Sequence, residues 1–493
     1  MESLSDTKWD VVISGTGLSQ SLLALALSRS GKNILHVDAN EIYGGPEAAL
    51  SLQDADAWIE QHQAEGDVFR GASVEKDDQG LSPSRAYSLA LAPQIIHTKA
   101  ELLSQLVSSK AFKQIEFLAV GSFHVYQPPS ETELEPTLQR IPSTREDVFA
   151  NTAIAAKSKR YLMKFLKFVV EYDGEAQEEV WKPKANEPLG NFLASEFKLD
   201  EALQSYILAL TLSLDGNVSV AGGLGAIHRH MTSMGKFGPG FAAVYAKWGG
   251  LSEVAQVGCR AAAVGGAIYM LGTGVEGAQC RDAEVDVKLT NGTTVTSKLL
   301  VQDAEYDSTA PSLSRLIAVI DSPLASIFES VIEGAPTPAV AVVAFPKGTI
   351  STDTGEASEY PLYAMVHSGD SGECPIGQSV VYLCTVSSPK SRSLLNAALT
   401  TLASLASGDE GVPKCLYKLG YEQSFRSTIT TQVDGRVISI PPSSLDLAFN
   451  DQVLRQVESA WEAVTAGDEP AKEAVYMDFD DREGAQDDDH YDD

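Results

Sequence analysis

The chain has 493 residues, 44% of them hydrophobic, and a formal net charge of −30 at pH 7. The length supports a large core with a smaller companion domain, while the charge repels phosphate backbones and anionic membranes, which excludes nucleic acid as a partner. Five cysteines without a CxxC pair, eight histidines without metal-ligand spacing, no basic-then-apolar leader and no apolar run near the roughly 20 residues of a membrane span point to a cytoplasmic protein with free thiols and no metal.

Residues 9–45 read WDVVISGTGLSQSLLALALSRSGKNILHVDANEIYGG. Val11, Val12 and Ile13 suit a buried parallel strand. Gly15, Thr16 and Gly17 make a tight turn, residues 18–30 have helical spacing, and residues 33–38 form a second strand. This is the βαβ unit of a Rossmann-type domain. In the glycine motif the first glycine permits the turn, the second lets backbone approach a pyrophosphate, and the third lets the helix pack close to the strand. The third position here is Gln20, whose long polar side chain obstructs that packing. Asp38 stands where an acid takes a ribose hydroxyl. The motif therefore reads as vestigial, and no flavin or nicotinamide cofactor is expected.

Residues 51–83 carry few apolar side chains and read as an insertion or surface excursion. Residues 115–126 are strand-like, and Pro128, Pro129 and Pro142 punctuate the stretch after them. Ser143 or Thr144 can cap a helix whose first turn holds Glu146 and Asp147. The spacing predicts one long helix over 148–172. Ile154, Tyr161, Leu162, Phe165, Leu166, Phe168 and Val169 share its broad apolar face, with Lys157, Arg160, Lys164 and Lys167 in an adjacent stripe. By angle, Phe168 lies at the border of the two faces and Phe165 lies deeper. Helical character continues over 189–214.

Sheet patterning then returns. Residues 284–301 alternate around an Asn291-Gly292 hairpin turn, residues 339–345 and 379–384 read as strands, and residues 452–464 as a last helix. Glu253 and Arg260 are seven apart, which on a helix places an acid and a base on one face about 10 Å apart. Residues 477–493, MDFDDREGAQDDDHYDD, repel one another. The fold class is α/β: a flavoprotein-like Rossmann-type sheet domain in two parts, 1–145 and 235–465, an all-helical domain inserted at 146–234, and an acidic disordered tail at 466–493.

Four blocks in order resemble the Rab GDP dissociation inhibitor and Rab escort protein family. The first is GTGL at 15–18 with LHVD at 35–38 and YGG at 43–45. The second is IPST at 141–144 with KRYLMKFL at 159–166. GKFG at 235–238, WGG at 248–250 and residues 253–270 form the third, and DLAFND at 446–451 the fourth. The resemblance spans about residues 9–465. It implies a flavoprotein-like fold without flavin, no catalytic residue, and binding of prenylatable Rab GTPases in the GDP form.

The resemblance also assigns residues. Tyr43, Glu253, Arg260 and Met270 match the platform that binds the GTPase switch regions. Lys236 and Phe237 match a loop that holds the GTPase's carboxyl-terminal linker, with Phe241 near its aromatic position. Phe168, with Phe165 as the alternative, stands where the escort branch contacts the Rab geranylgeranyltransferase heterodimer. Leu203, Tyr206, Ile207 and Leu210 are candidates for a pocket that receives the geranylgeranyl lipid carried by Rab. Membrane contact would then be transient, during delivery. The 51–83 insertion, the LMKFL block and the acidic extension favour the escort branch over the dissociation inhibitors. The chain departs from the family in reading Val254-Ala255-Gln256 where Leu-Pro-Gln is usual. A flavin-dependent oxidoreductase, the competing class, would need Gly-Asp or Gly-Glu near the last helix, where the chain has PPSS at 441–444.

Overall fold

The computed structural model describes residues 4–481, apart from 65, 67, 78, 130–133, 143–144, 152–153, 305–310, 331, 409–410, 425–429, 442–443 and 467–474. The expected cap at Ser143 or Thr144, part of the PPSS stretch and residues 482–493 lie outside the described residues. Two large sheets carry the fold. In the first, strand Lys8–Ser14 pairs in parallel with Ile34–Val37 on one side and Thr294–Asp303 on the other, and Ile268–Met270 extends it beyond Ile34–Val37. Side chains alternate across the sheet as the pleat requires. Val11 and Ile13 face helices Leu18–Leu27, Leu251–Val264 and Gln452–Thr465, whereas Val12, Leu35 and Val37 face the hairpin of Val285–Leu289 and Thr294–Asp303. The Asn291-Gly292 turn closes that hairpin, with Gly292 at φ +84°.

The second sheet has ten strands and is mostly antiparallel, running from Phe69–Lys76 through Ser312–Ile320 and Val340–Phe345 to Phe117–Gln127 and Ile96–His97. Helix Ser391–Ala406 covers one face. Six helices, from Arg145–Ala150 to Val220–Ser233, gather on the other, and their apolar faces share one core with the sheet. The helical insertion is thus a layer on the sheet rather than a body with its own core.

Three expectations are corrected. Residues 51–83 are not a loose surface excursion but a helix and an edge strand. Ser51 and Asp54 form a reciprocal capping box at the start of helix Leu52–His62. Trp58 packs edge-on against Phe69 and Tyr421, and Phe69–Lys76 is the edge strand paired with Cys415–Ser424. The helix expected over 148–172 is two helices, Arg145–Ala150 and Ala156–Val170. Asn151 turns the chain between them by accepting the Ile154 amide at 3.2 Å, and Ala155 is extended.

The tail is also not wholly free of structure. Tyr476, Met477 and Phe479 stand among its acids, and Met477 is only 1% exposed. The Phe479 amide donates to Ser108 O at 3.0 Å, the Ser108 hydroxyl to Met477 O at 2.7 Å, and Tyr476 packs on Trp461. Arg29 sits over the Phe479 ring, and Lys113 pairs with Asp481 at 3.2 Å. Apolar burial and these cations offset the acid repulsion for residues 475–481.

Met477→Asp should release this segment, abolishing hydrogen-exchange protection at the Phe479 amide; retained protection would show that the docking does not depend on Met477. Burial also lowers His36, His124 and His230 to about 4, so each is neutral in the fold. Between the unfolded value of about 6.5 and about 4 the unfolded chain binds more protons, so stability falls as pH drops through that interval. Thermal melts at about pH 7 and about pH 5 check the sign, and equal Tm values would mean that these imidazoles bind protons as readily in the fold as in the unfolded chain.

Candidate functional site

The glycine turn is held from below and closed from above. Gly15 adopts φ +91°, and the His36 Nε2–H donates to its carbonyl at 2.6 Å. Asp38 accepts from the Thr16 amide and hydroxyl, both at 2.7 Å, and from the Asn40 amide at 2.8 Å. The carboxylate that would take a ribose hydroxyl is therefore used inside its own loop. Gly45 comes so close that a Cβ on it would lie 3.2 Å from Gly17 Cα. The 3-10 turn Gly45–Glu47 then brings the buried Glu47 carboxylate to the Leu18 amide at 3.1 Å.

The amino terminus of the first helix, which would receive a pyrophosphate, receives this carboxylate instead. Asp303 lines the same cleft, and the Gln20 amide donates to it at 2.6 Å. These acids oppose an anionic dinucleotide, so a flavin or nicotinamide cofactor does not fit here. The reason differs from the one expected. Gln20 does not hold the helix away, since all ten residues of Leu18–Leu27 are buried; closure comes from Glu47. Sequence reasoning missed Glu47, although an acid two residues beyond a double glycine was the available signal.

The same chain turn meets the helix Leu251–Val264. A Cβ on Gly44 would lie 3.1 Å from Ser252 Oγ, and that hydroxyl accepts the Ala49 amide at 3.2 Å. The helix starts without a side-chain cap after Gly249 and Gly250, both at positive φ. The Tyr245 ring lies under Gly250 and its hydroxyl donates to Glu373 at 2.7 Å. Tyr382 and His367 donate to the same buried carboxylate at 2.8 and 2.6 Å. Burial and the Glu373 charge hold both phenols well above their ordinary pKa. Small residues let this helix cross the first one closely: a Cβ on Gly258 would lie 2.6 Å from Ser21 O.

Glu253 and Arg260 fall on one side of this helix. Glu253 is part-buried, and burial pushes its carboxyl up while Arg260 pulls it down. Arg260 is exposed and donates to Gln114 Oε1 at 3.2 Å. Tyr43 is part-buried beside the same helix, where burial and Cys259 raise its pKa, and it meets Tyr269 edge-on at 6.0 Å. Met270 does not join them. On its short strand it points away from Tyr269 and packs with Trp9, Val12 and Val37 on the opposite sheet face; the neighbouring Tyr269 faces Tyr43.

Lys236 and Phe237 form the exposed tip of a loop closed by the Gly235 amide on Phe241 O at 3.1 Å, with the Lys236 ammonium 5.9 Å above the Phe237 ring. Phe241 is buried and lines a cleft with Phe123, Leu210 and Ile332. Phe165 is 0% exposed, which removes it as a surface contact. Phe168 is part-buried, edge-on to Phe197 at 5.0 Å. Leu203, Tyr206, Ile207 and Leu210 are all buried core side chains, and only Leu210 reaches that cleft.

Fold and site together define a class: a flavoprotein-type scaffold whose nucleotide loop is closed from within and beside which a helix presents an acid and a base. Residues 5–331 match the family described as GDP dissociation inhibitor. The Rab proteins geranylgeranyltransferase component A of Saccharomyces cerevisiae is 30% identical over 408 residues, covering 80% of this chain and 64% of that protein. The protein of the same name from Candida albicans is 30% identical, covering 78% and 60%. The chain thus spans less than two thirds of the length of these relatives. Among solved structures, a Rab GDI from Plasmodium falciparum matches with a TM-score of 0.68 at 18% identity, covering 92% of this chain and 97% of that one. An oxidoreductase from Methanosarcina mazei matches at 0.59 and 14%, covering 92% and 100%; both likenesses are of fold. The chain belongs to the GDP dissociation inhibitor family.

Gly258→Ala should push the Leu251–Val264 helix off the first helix and cost about 1–3 kcal/mol of stability. Denaturant unfolding measures this, and an unchanged midpoint would mean that the crossing is looser than the Gly258–Ser21 approach indicates.

Proposed function

We propose that this chain is a Rab escort protein of the cytoplasm: a non-catalytic carrier that binds unprenylated, GDP-bound Rab GTPases. It presents them to the Rab geranylgeranyltransferase heterodimer and delivers the prenylated product to membranes. The observation that carries this reading is that Glu253 and Arg260 share one side of the helix Leu251–Val264, beside the nucleotide loop closed by Glu47 that also carries Tyr43. The names of the yeast relatives support the escort branch.

In this reading the platform grips the switch regions. GDP selectivity arises because a γ-phosphate orders those regions into a shape that does not match. The Lys236–Phe237 loop, poised at the cleft, guides the GTPase's carboxyl-terminal linker. Phe168 supplies an aromatic edge for the transferase. Leu203, Tyr206, Ile207 and Leu210 fill the space between helices, so the lipid enters only if those helices part; each buried methylene returns about 0.8 kcal/mol toward that opening. Among the described residues no helix is long and apolar enough to cross a membrane.

A dissociation inhibitor, the second reading, would recycle prenylated Rabs without touching the transferase. It remains in play because dissociation inhibitors are also among the relatives, one from Arabidopsis thaliana at 27% identity. A prenylation assay with transferase, geranylgeranyl pyrophosphate and a Rab separates the two: the escort reading expects strong stimulation by this chain, and no stimulation rejects it. Arg260→Glu, at an exposed position, should weaken capture of GDP-loaded Rab by tenfold or more with an unchanged Tm, about the effect of reversing one interface charge. Unaltered capture would take Arg260 off the platform.

A further inference from the structure

Trp248 stands apart from every other tryptophan of the chain whose environment is described. Trp9 and Trp58 are buried and Trp181 and Trp461 part-buried, whereas Trp248 is 52% exposed. It also has φ +74°, a left-handed backbone conformation that a bulky side chain adopts only under constraint. The constraint is visible. The Trp248 amide donates to Ser371 O at 3.0 Å and its carbonyl accepts the Ser88 hydroxyl at 2.6 Å. One face of the indole lies on Gly372, where a side chain would collide with the ring. The Lys247 ammonium sits 5.2 Å from the ring centroid and is itself paired with Glu116 at 3.0 Å.

The fold therefore holds a large aromatic ring in a strained backbone, seated on Gly372, approached by the Lys247 ammonium and still about half exposed. A residue kept only for packing would be buried or relaxed. A glycine at this position would remove the backbone strain, yet the chain has glycine at the next two positions and tryptophan here.

The place of this ring supplies the occupant. Trp248 immediately precedes the Gly249-Gly250 turn that starts the platform helix. The helix's other end is tied to the same neighbouring segment: Arg260 bonds Gln114, and Lys247 bonds Glu116 two residues further on. One continuous strip thus runs from Arg260 along residues 114–116 to Lys247 and Trp248.

We infer that Trp248 is the aromatic anchor of the GTPase-binding surface, laying the exposed part of its ring against an apolar patch of the GTPase switch region while Arg260 and Glu253 set charge and register. This rests on the platform reading above and adds a residue to it. Rigid, partly pre-buried tryptophans are the side chains that dominate binding energy at such surfaces, because little freedom is lost when the partner covers them.

The test uses the full chain and a GDP-loaded Rab. Trp248→Asn keeps a residue that tolerates the left-handed backbone and removes the ring. Capture should fall about tenfold or more, the range of a hot-spot truncation. Trp248→Tyr should recover most of it. In the wild-type chain the tryptophan emission should shift to the blue as Rab binds, and the Asn variant should lack this shift. Wild-type-like capture by Trp248→Asn, with Arg260→Glu still impaired, overturns the anchor and leaves the platform standing. If the Asn variant does not fold by circular dichroism, the wild-type emission decides, and an absent shift overturns the anchor. No capture by the wild-type chain rejects the platform reading and the anchor together.

Discussion

The carboxylate of Glu47 on the Leu18 amide is the interaction on which the arrangement depends. A helix amino terminus carries partial positive charge and unpaired amides that demand an acceptor. In a dinucleotide-binding protein a pyrophosphate answers that demand. Here the chain answers it from within, and the consequences spread in two directions. Toward the cleft, Gly45 closes on Gly17 and three acids, Asp38, Glu47 and Asp303, surround the space a cofactor's phosphates would need. Toward the surface, the same turn carries Tyr43 and Gly44 against the helix Leu251–Val264. Closing the nucleotide loop and packing its far side against that helix are the work of a single five-residue stretch.

How much of this was legible depends on the range of each interaction. The βαβ unit, the Asn291-Gly292 hairpin and the last helix are local patterns, and the structure has them where the spacing placed them. Glu253 and Arg260 could be put on one helix face from their separation alone. The edge strand Phe69–Lys76 could not be read, because its partner Cys415–Ser424 lies some 350 residues away and its own composition is polar, as an edge permits. The break at Asn151 was missed because apolar periodicity continues across it, while one side-chain carbonyl redirects the backbone. Met270 was expected beside Glu253 and Arg260 but packs on the opposite sheet face, because family position does not report which face of a strand a side chain takes. Alternation from Tyr269 decides that, and the strand becomes visible only with its pairing to Ile34–Val37.

The helical layer raises a different issue. Its helices and the ten-stranded sheet share a core, so a motion that opens a lipid site between helices must leave the sheet-facing contacts intact. Phe165 and Phe192 are fully buried and meet Phe197, whereas Phe168 lies at the margin of the same aromatic group. An event that moves Phe168 is therefore transmitted to the rings behind it. Contact with a partner at this edge and separation of the helices around Leu203 and Ile207 would be coupled through packed aromatic side chains that do not deform continuously.

On the proposed platform, electrostatics would add selectivity of its own. Glu253 is already part-desolvated, with Arg260 as the cation that lowers its pKa. A partner that covers this helix strips more water from both groups. If it brings no cation to Glu253 and no acceptor to Arg260, it must bury two incompletely compensated charges, which costs several kcal/mol per ion in the absence of good geometry. If it brings both, each charge gains its own cross-interface contact. On that proposal the half-buried acid would penalise wrong partners more than it rewards the right one, and specificity on this face would follow from a cost already partly present in the free protein.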